Sequence, residues 1–246
     1  LLEKDPARRP ADAAETIRAL HAVARYDPLA ESVAGPSPRD VSAAHAPRHE
    51  AREHGLPLVG RDQDLGVLRG AFERACNGGG RTILIAGEAG TGKTRLAHEL
   101  GGIAQRADAL FLAGDCLYGE APNPYAVVAD ILRGFREGWE GGLGVGTPLG
   151  AALAEVERVL RLDASTGEMA SWLQPQSLVE GQSQAFELLA QFFALAARER
   201  PLALVWDDLQ WASTTALMLF HYLARTLRGT RILLVGIYRP EELLPG

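Results

Sequence analysis

The sequence predicts an α/β fold, a three-layer sandwich around a mainly parallel sheet, and three observations carry that prediction. Beyond Leu56, short apolar runs alternate with stretches of helical period, the pattern of strand–crossover–strand units. One run, Ile83-Leu84-Ile85-Ala86, leads into a glycine-rich segment and then into apolar residues spaced as on a helix, Leu96, Leu100 and Ile103. Another, Leu202 to Trp206, ends directly on two aspartates, Asp207 and Asp208.

Three segments are expected. Residues 10–26 read as an amphipathic helix, with Asp12 and Glu15 in capping-box spacing and Ile17, Leu20 and Ala24 on one face. Residues 27–54 are rich in Pro, Ala, Ser, His and Arg, include Gly-Pro-Ser-Pro at 35–38, and have the composition of a linker. Residues 55–246 form the α/β domain. Its strands are placed at Thr82–Ala86, Leu110–Ala113, Leu202–Trp206 and Ile232–Gly236. The roughly ninety residues between the second and third strands read as mostly helical, with Val156, Val159 and Leu160 on one face and Phe186, Leu189 and Phe193 on another. The glycine-rich stretch Gly134 to Gly150 reads as a loop. The sequence opens in mid-pattern on Leu1 and stops abruptly, so it is expected to be a piece of a longer chain.

Composition narrows the function classes. A hydrophobic content of 47% is ample for a packed core. A net charge of -6 and a pI near 5.6 give no drive toward nucleic acid or anionic lipid. No apolar run reaches the roughly 18–20 residues that cross a bilayer. Cys76 and Cys116 lack metal-type spacing and a disulfide framework, which fits a reducing, cytoplasmic setting.

Residues Gly87-Glu88-Ala89-Gly90-Thr91-Gly92-Lys93-Thr94 match the phosphate-loop pattern G-x-x-x-x-G-K-[ST] in the strand–loop–helix context it requires. Glycines let backbone N–H groups converge on an anion, and the following helix adds its positive N-terminal end. Lys93 is expected to reach the β- and γ-phosphates, and Thr94 to ligate Mg²⁺. The chain has only two lysines, Lys4 and Lys93, so chance would produce the pattern roughly 0.002 times. The fold expected is therefore that of a P-loop NTPase.

Asp207 and Asp208 end a buried strand at its C-terminal edge, where open α/β sheets bind ligands. Given the phosphate loop, Asp207 is expected to hold Mg²⁺ and Asp208 to orient or deprotonate the attacking water. Lys93 and Asp207 lie 114 positions apart, which implies a long crossover. The last strand is followed by Arg239-Pro240, which puts a guanidinium at the same edge as a candidate γ-phosphate sensor. Trp206 and Trp211 read as packing residues.

Leu58-Val59-Gly60-Arg61, the loop at 87–94 with Arg95-Leu96-Ala97, Asp207-Asp208-Leu209-Gln210-Trp211-Ala212 and Tyr238-Arg239-Pro240 together resemble the STAND class of signal-transduction ATPases. The branch resembled is that of large bacterial transcriptional regulators and kinase-linked predicted ATPases, over about residues 56–246. The resemblance implies that Val59, Gly60 and Arg61 lie near the adenine, that Arg95 belongs with the nucleotide-binding loop, and that Arg239 is the sensor arginine. It also implies a helical lid and downstream domains beyond Gly246. Gln210 stands where the branch commonly has histidine, and Ser213 where it often has a further aspartate. Residues 1–26, with Lys4-Asp5-Pro6-Ala7-Arg8-Arg9-Pro10, resemble the closing segment of a bacterial serine/threonine protein kinase domain. None of the kinase's catalytic motifs is present.

The functional expectation is an ATP-binding, slowly hydrolysing switch domain with ATP and Mg²⁺ as ligands. Its partners are ATP or ADP, other domains of the same protein and, in a nucleotide-dependent way, further copies of itself, without nucleic-acid or membrane contact. Two alternatives stand beside it: a nucleotide-binding scaffold without turnover, and a nucleic-acid motor of the P-loop type, which the acidic balance disfavours.

Overall fold

The computed structural model describes residues 60–117, 125–140, 142–144, 146–160 and 175–243, with backbone alone for 175–180. The expected helix at 10–26, the linker and Val59 lie outside the described residues. Four parallel strands form one sheet: β1 (Arg81–Ala86), β2 (Leu110–Asp115), β3 (Leu202–Asp207) and β4 (Ile232–Tyr238), in the order β1-β4-β3-β2. All four expected strands are present, and β2 and β4 run two residues further than the apolar runs alone indicate. The extension of β2 brings Asp115 into register with Asp207.

Because side chains alternate along a strand, each strand feeds two layers. Ile83, Ile85, Ala203, Val205, Leu233, Val235 and Ile237 pack on one face against helix α1 (Asp62–Cys76) and helix α2 (Lys93–Arg106). Leu84, Leu112, Leu204, Trp206 and Leu234 pack on the other against α3 (Ala126–Gly138), α4 (Pro148–Leu160), α5 (Pro175–Glu199) and α6 (Thr214–Thr226). The result is the α/β three-layer arrangement expected.

Helix α1 has Asp62 and Asp64 in its first turn and Arg74 in its last, both favourable to the helix dipole, and buries Leu68, Ala71, Phe72 and Ala75. Helix α2 buries Leu96, Leu100 and Ile103 as its period predicts. The described residues between β2 and β3 are mostly helical, and Val156, Val159, Leu160, Phe186, Leu189 and Phe193 are all buried. Arg231 donates to the carbonyls of Ala197 and Arg198, satisfying acceptors left open at the end of α5.

One expectation is corrected. The stretch Gly134 to Gly150 is not a continuous loop: α3 continues through Gly138, and α4 begins at Pro148. Gly134 and Gly138 both lie within α3. At Gly138 the helix lies close on β2, since a Cβ there would sit 3.1 Å from Leu110 Cδ2. This glycine serves approach between layers, not chain reversal.

Candidate functional site

All four strands are parallel, so the segments that follow them meet at one edge: the loop at 87–92 after β1, Asp208 after β3 and Arg239 after β4. Gly90 and Gly92 have φ of 75° and 80°, values that L side chains rarely adopt. Gly92 caps α2, whose first residue is Lys93. The loop closes on the Glu88 carbonyl, which accepts from Thr91 Oγ1 and Lys93 Nζ, each at 2.8 Å, and from the Thr91 N–H at 3.3 Å. Lys93 is 7% exposed. Burial lowers its pKa, and the Arg239 charge pushes the same way against the opposing pull of Glu241, Asp207 and Asp208. An ammonium held among a neutral carbonyl and scattered carboxylates is ready to take an anion.

Thr94 Oγ1 donates to Asp207 Oδ2 at 2.8 Å, joining α2 to the end of β3 across 113 positions of sequence. Asp207 Oδ1 accepts the Asp208 N–H at 2.8 Å. Asp207 is 8% exposed, and burial is the main reason its carboxyl titrates above the ordinary range. The Asp208 and Asp115 charges add to this, while the bonds from Thr94 and the Asp208 N–H oppose it.

Asp208 has φ 54° and ψ 45°, a left-handed conformation uncommon outside glycine and found disproportionately at functional sites. It opens a single 3-10 turn, Leu209–Trp211, seated closely on β4. At Gly236 a Cβ would come 2.5 Å from Leu209 Cδ1. The Asp208 carboxylate meets Arg239 at 3.3 Å, and Arg239 also pairs with Glu242 at 2.7 Å and lies 5.2 Å over the Trp211 ring. Trp206 is a packing residue, 1% exposed and edge-on to Phe220. Trp211 is half-buried and also carries the arginine, so it is more than packing.

Of the remaining expected residues, Gly60 has φ 75°, and Arg61 donates to the Thr91 carbonyl and to Asp64 at 2.8 Å. The segment before α1 is thus tied to the phosphate loop. Arg95 is half-buried in the first turn of α2. Gly87 is tightly placed, since a Cβ there would approach Thr91 Oγ1 to 3.1 Å.

Three features escape the sequence reading. Asp115 stands beside Asp207, and extending the β2 run by two residues would have shown it. Gln210 bridges Asp208 and the Arg239 backbone, at 2.8 and 3.1 Å. Glu241 accepts the Ala89 N–H at 3.1 Å, across 152 positions, and no local pattern announces that contact.

A sequence model of the AAA ATPase domain family matches residues 57–235, most of the chain, including the phosphate loop and the paired aspartates. The chain belongs to that family. Membership carries nucleotide binding with it, and the family uses ATP, typically with Mg²⁺. An uncharacterized protein of Rhizobium meliloti (strain 1021) is 26% identical over 200 residues, covering 76% of this chain. The chain spans only 19% of the length of that relative. Among solved structures, C. elegans PCH-2 aligns with a TM-score of 0.31 and 14% identity, covering 72% of this chain and 37% of its own. Among the described residues no helix is long and apolar enough to cross a membrane.

The residues fit the family's ligands. The carboxylate oxygen of Glu241 on the Ala89 N–H is itself an anion accommodated at the loop. Thr94 and Asp207 are the residues that would hold Mg²⁺, a hard ion that takes oxygen donors and would neutralise phosphate charge there. Among the described residues no group of three or more His, Cys, Asp or Glu could hold a metal.

Proposed function

We propose that this chain is the ATP-binding and slowly ATP-hydrolysing switch domain of a multidomain signalling protein of the STAND type. In that reading residues 1–26 are the closing segment of a protein kinase domain, 27–54 a linker, and 55–246 the ATPase domain. The single observation that supports its ATP-binding core is the 2.8 Å contact of Thr94 with Asp207, which unites the phosphate loop with the acidic strand end, while the kinase and STAND assignments follow the resemblance.

Each residue has a role. The N–H groups of residues 87–94 and the Lys93 ammonium bind the phosphates. Arg61, through its bond to the Thr91 carbonyl, reports loop occupancy to α1, and the resemblance assigns Val59 and Gly60 to the base. Asp208 holds or takes the proton of the attacking water, at the edge where a γ-phosphate would face it. Arg239 neutralises charge on the phosphate and, once engaged, releases part of its hold on Asp208 and Glu242. Loss of the γ-phosphate restores those pairs, so the segment after β4 takes one of two arrangements. Other domains and further copies of the chain are the partners that would read this difference, in the cytoplasm.

The scaffold alternative shares the loop but has no use for a carboxylate at Asp208. Phosphate release from MgATP by wild type and Asp208→Asn separates the two. The switch reading expects slow release by wild type and a loss of about 100-fold in the variant, the range typical of a general base. Nucleotide that raises the melting temperature of wild type with no phosphate release would support the scaffold instead.

A further inference from the structure

Gln210 is 9% exposed, and both ends of its amide are used. Its Nε2 donates to Asp208 Oδ1 at 2.8 Å, and its Oε1 accepts the Arg239 backbone N–H at 3.1 Å. The orientation of the amide follows from its partners: an ionised carboxylate only accepts, and a backbone N–H only donates. The same Oδ1 lies 3.3 Å from the Arg239 guanidinium, so Asp208 and Arg239 touch both directly and through Gln210.

We propose that Gln210 is a positioning residue for ATP hydrolysis, holding the Asp208 carboxylate in one rotamer against the start of the segment after β4. The proposal rests on the hydrolytic role assigned above to Asp208. Asp208 is the first residue after the strand, in a left-handed conformation, with a side chain about a quarter exposed. Its direct contact with Arg239 is long, partly solvated and shared with Glu242, and such pairs hold geometry weakly. The Gln210 bond is shorter, and the turn that carries Gln210 is fixed by the close approach of Leu209 to Gly236. The Gln210 amide and the Arg239 guanidinium both meet Oδ1, which in this proposal leaves Oδ2 for the attacking water. A shift of the Arg239 backbone would also move the Gln210 side-chain amide through that N–H. The position requires one donor and one acceptor on a single planar group. An amide meets this, a neutral imidazole meets it with one nitrogen each way, and an alkyl side chain does not.

The test uses the full chain with MgATP, in wild type, Gln210→Leu, Gln210→His, Asp208→Asn and the Gln210→Leu/Asp208→Asn double variant. Binding is followed with a fluorescent ATP analogue and turnover by phosphate release. Gln210→Leu is expected to bind within about threefold of wild type and to release phosphate about 10- to 50-fold more slowly, and Gln210→His to recover part of that loss. In the double variant the Leu substitution is expected to add nothing, because residues that act as a unit are non-additive. Wild-type turnover in Gln210→Leu, or the same loss repeated on top of Asp208→Asn, would overturn the proposal and leave a buried amide with a structural part only. Should Gln210→Leu not fold, Gln210→His decides the matter: turnover below that of Asp208→Asn overturns the proposal, and intermediate turnover supports it. Turnover in Asp208→Asn equal to wild type would overturn the hydrolytic reading itself.

Discussion

Two cations stand at the same edge of the sheet and are held in opposite ways. Lys93 is buried and donates to a neutral carbonyl of its own loop, at 2.8 Å. Arg239 is about a quarter exposed and already shared between the carboxylates of Asp208 and Glu242 and the face of Trp211. An anion arriving at Lys93 relieves the cost of a buried charge, whereas an anion arriving at Arg239 must compete with carboxylates in place. In the proposed reading the difference gives affinity to the loop side and response to the arginine side: nucleotide would bind because of Lys93, and the molecule would change because Arg239 exchanges partners.

Substitutions that sharpen this comparison have graded effects. Lys93→Ala should lose on the order of 100-fold or more in ATP-analogue affinity, measured by fluorescence titration, with an unchanged circular dichroism spectrum. Arg239→Ala should cost only about three- to tenfold for ATP and less for ADP, since its charge is already balanced in the free protein. Equal losses for the two variants would break the contrast between them.

Asp207 supplies a test on stability. Its carboxyl titrates above its ordinary value of 3.8, first because it is buried. A carboxyl raised in the folded state contributes its stability while protonated, below 3.8, and loses it as pH rises through the raised value. At neutral pH without Mg²⁺ the ionised group is thus a cost. Asp207→Asn should raise the melting temperature at pH 7 by about 1–3 °C and flatten the fall of stability above pH 4, read by thermal scans across pH. The smallest effect belongs to Glu241, whose carboxylate stands on the Ala89 N–H. Glu241→Gln should tighten ATP-analogue binding by roughly two- to fivefold in the same titration, the size expected of one exposed charge.

Legibility in the sequence follows the same division. The P-loop side is continuous in sequence, Ile83 through Ile103, so strand, loop and helix are all readable from spacing alone. The four strands were equally readable, because each is a buried run with no competing helical period. The acidic side is assembled from Asp115, Asp207, Asp208, Gln210, Arg239 and Glu241, drawn from the ends of β2 and β3 and from the segments after β3 and β4. Which of these touch depends on register and on the left-handed turn at Asp208, and neither has a local signature. Glycine composition misled at 134–150 for a related reason: Gly138 answers to the closeness of α3 and β2, a tertiary demand. Gln210 stands out in the sequence only as a departure from a family pattern, and its bond to the Arg239 backbone depends on β3 and β4 being neighbours.

The central claim is that the phosphate loop and the acidic strand end form one site through Thr94 and Asp207. The most direct measurement is equilibrium binding of a fluorescent ATP analogue to wild type and Asp207→Asn, each with and without Mg²⁺. The account predicts that Mg²⁺ tightens binding to wild type by about tenfold or more and has little effect on Asp207→Asn, while the Mg²⁺-free affinities of the two remain within about threefold. An undiminished Mg²⁺ effect in Asp207→Asn, or no binding by folded wild-type protein, would contradict it.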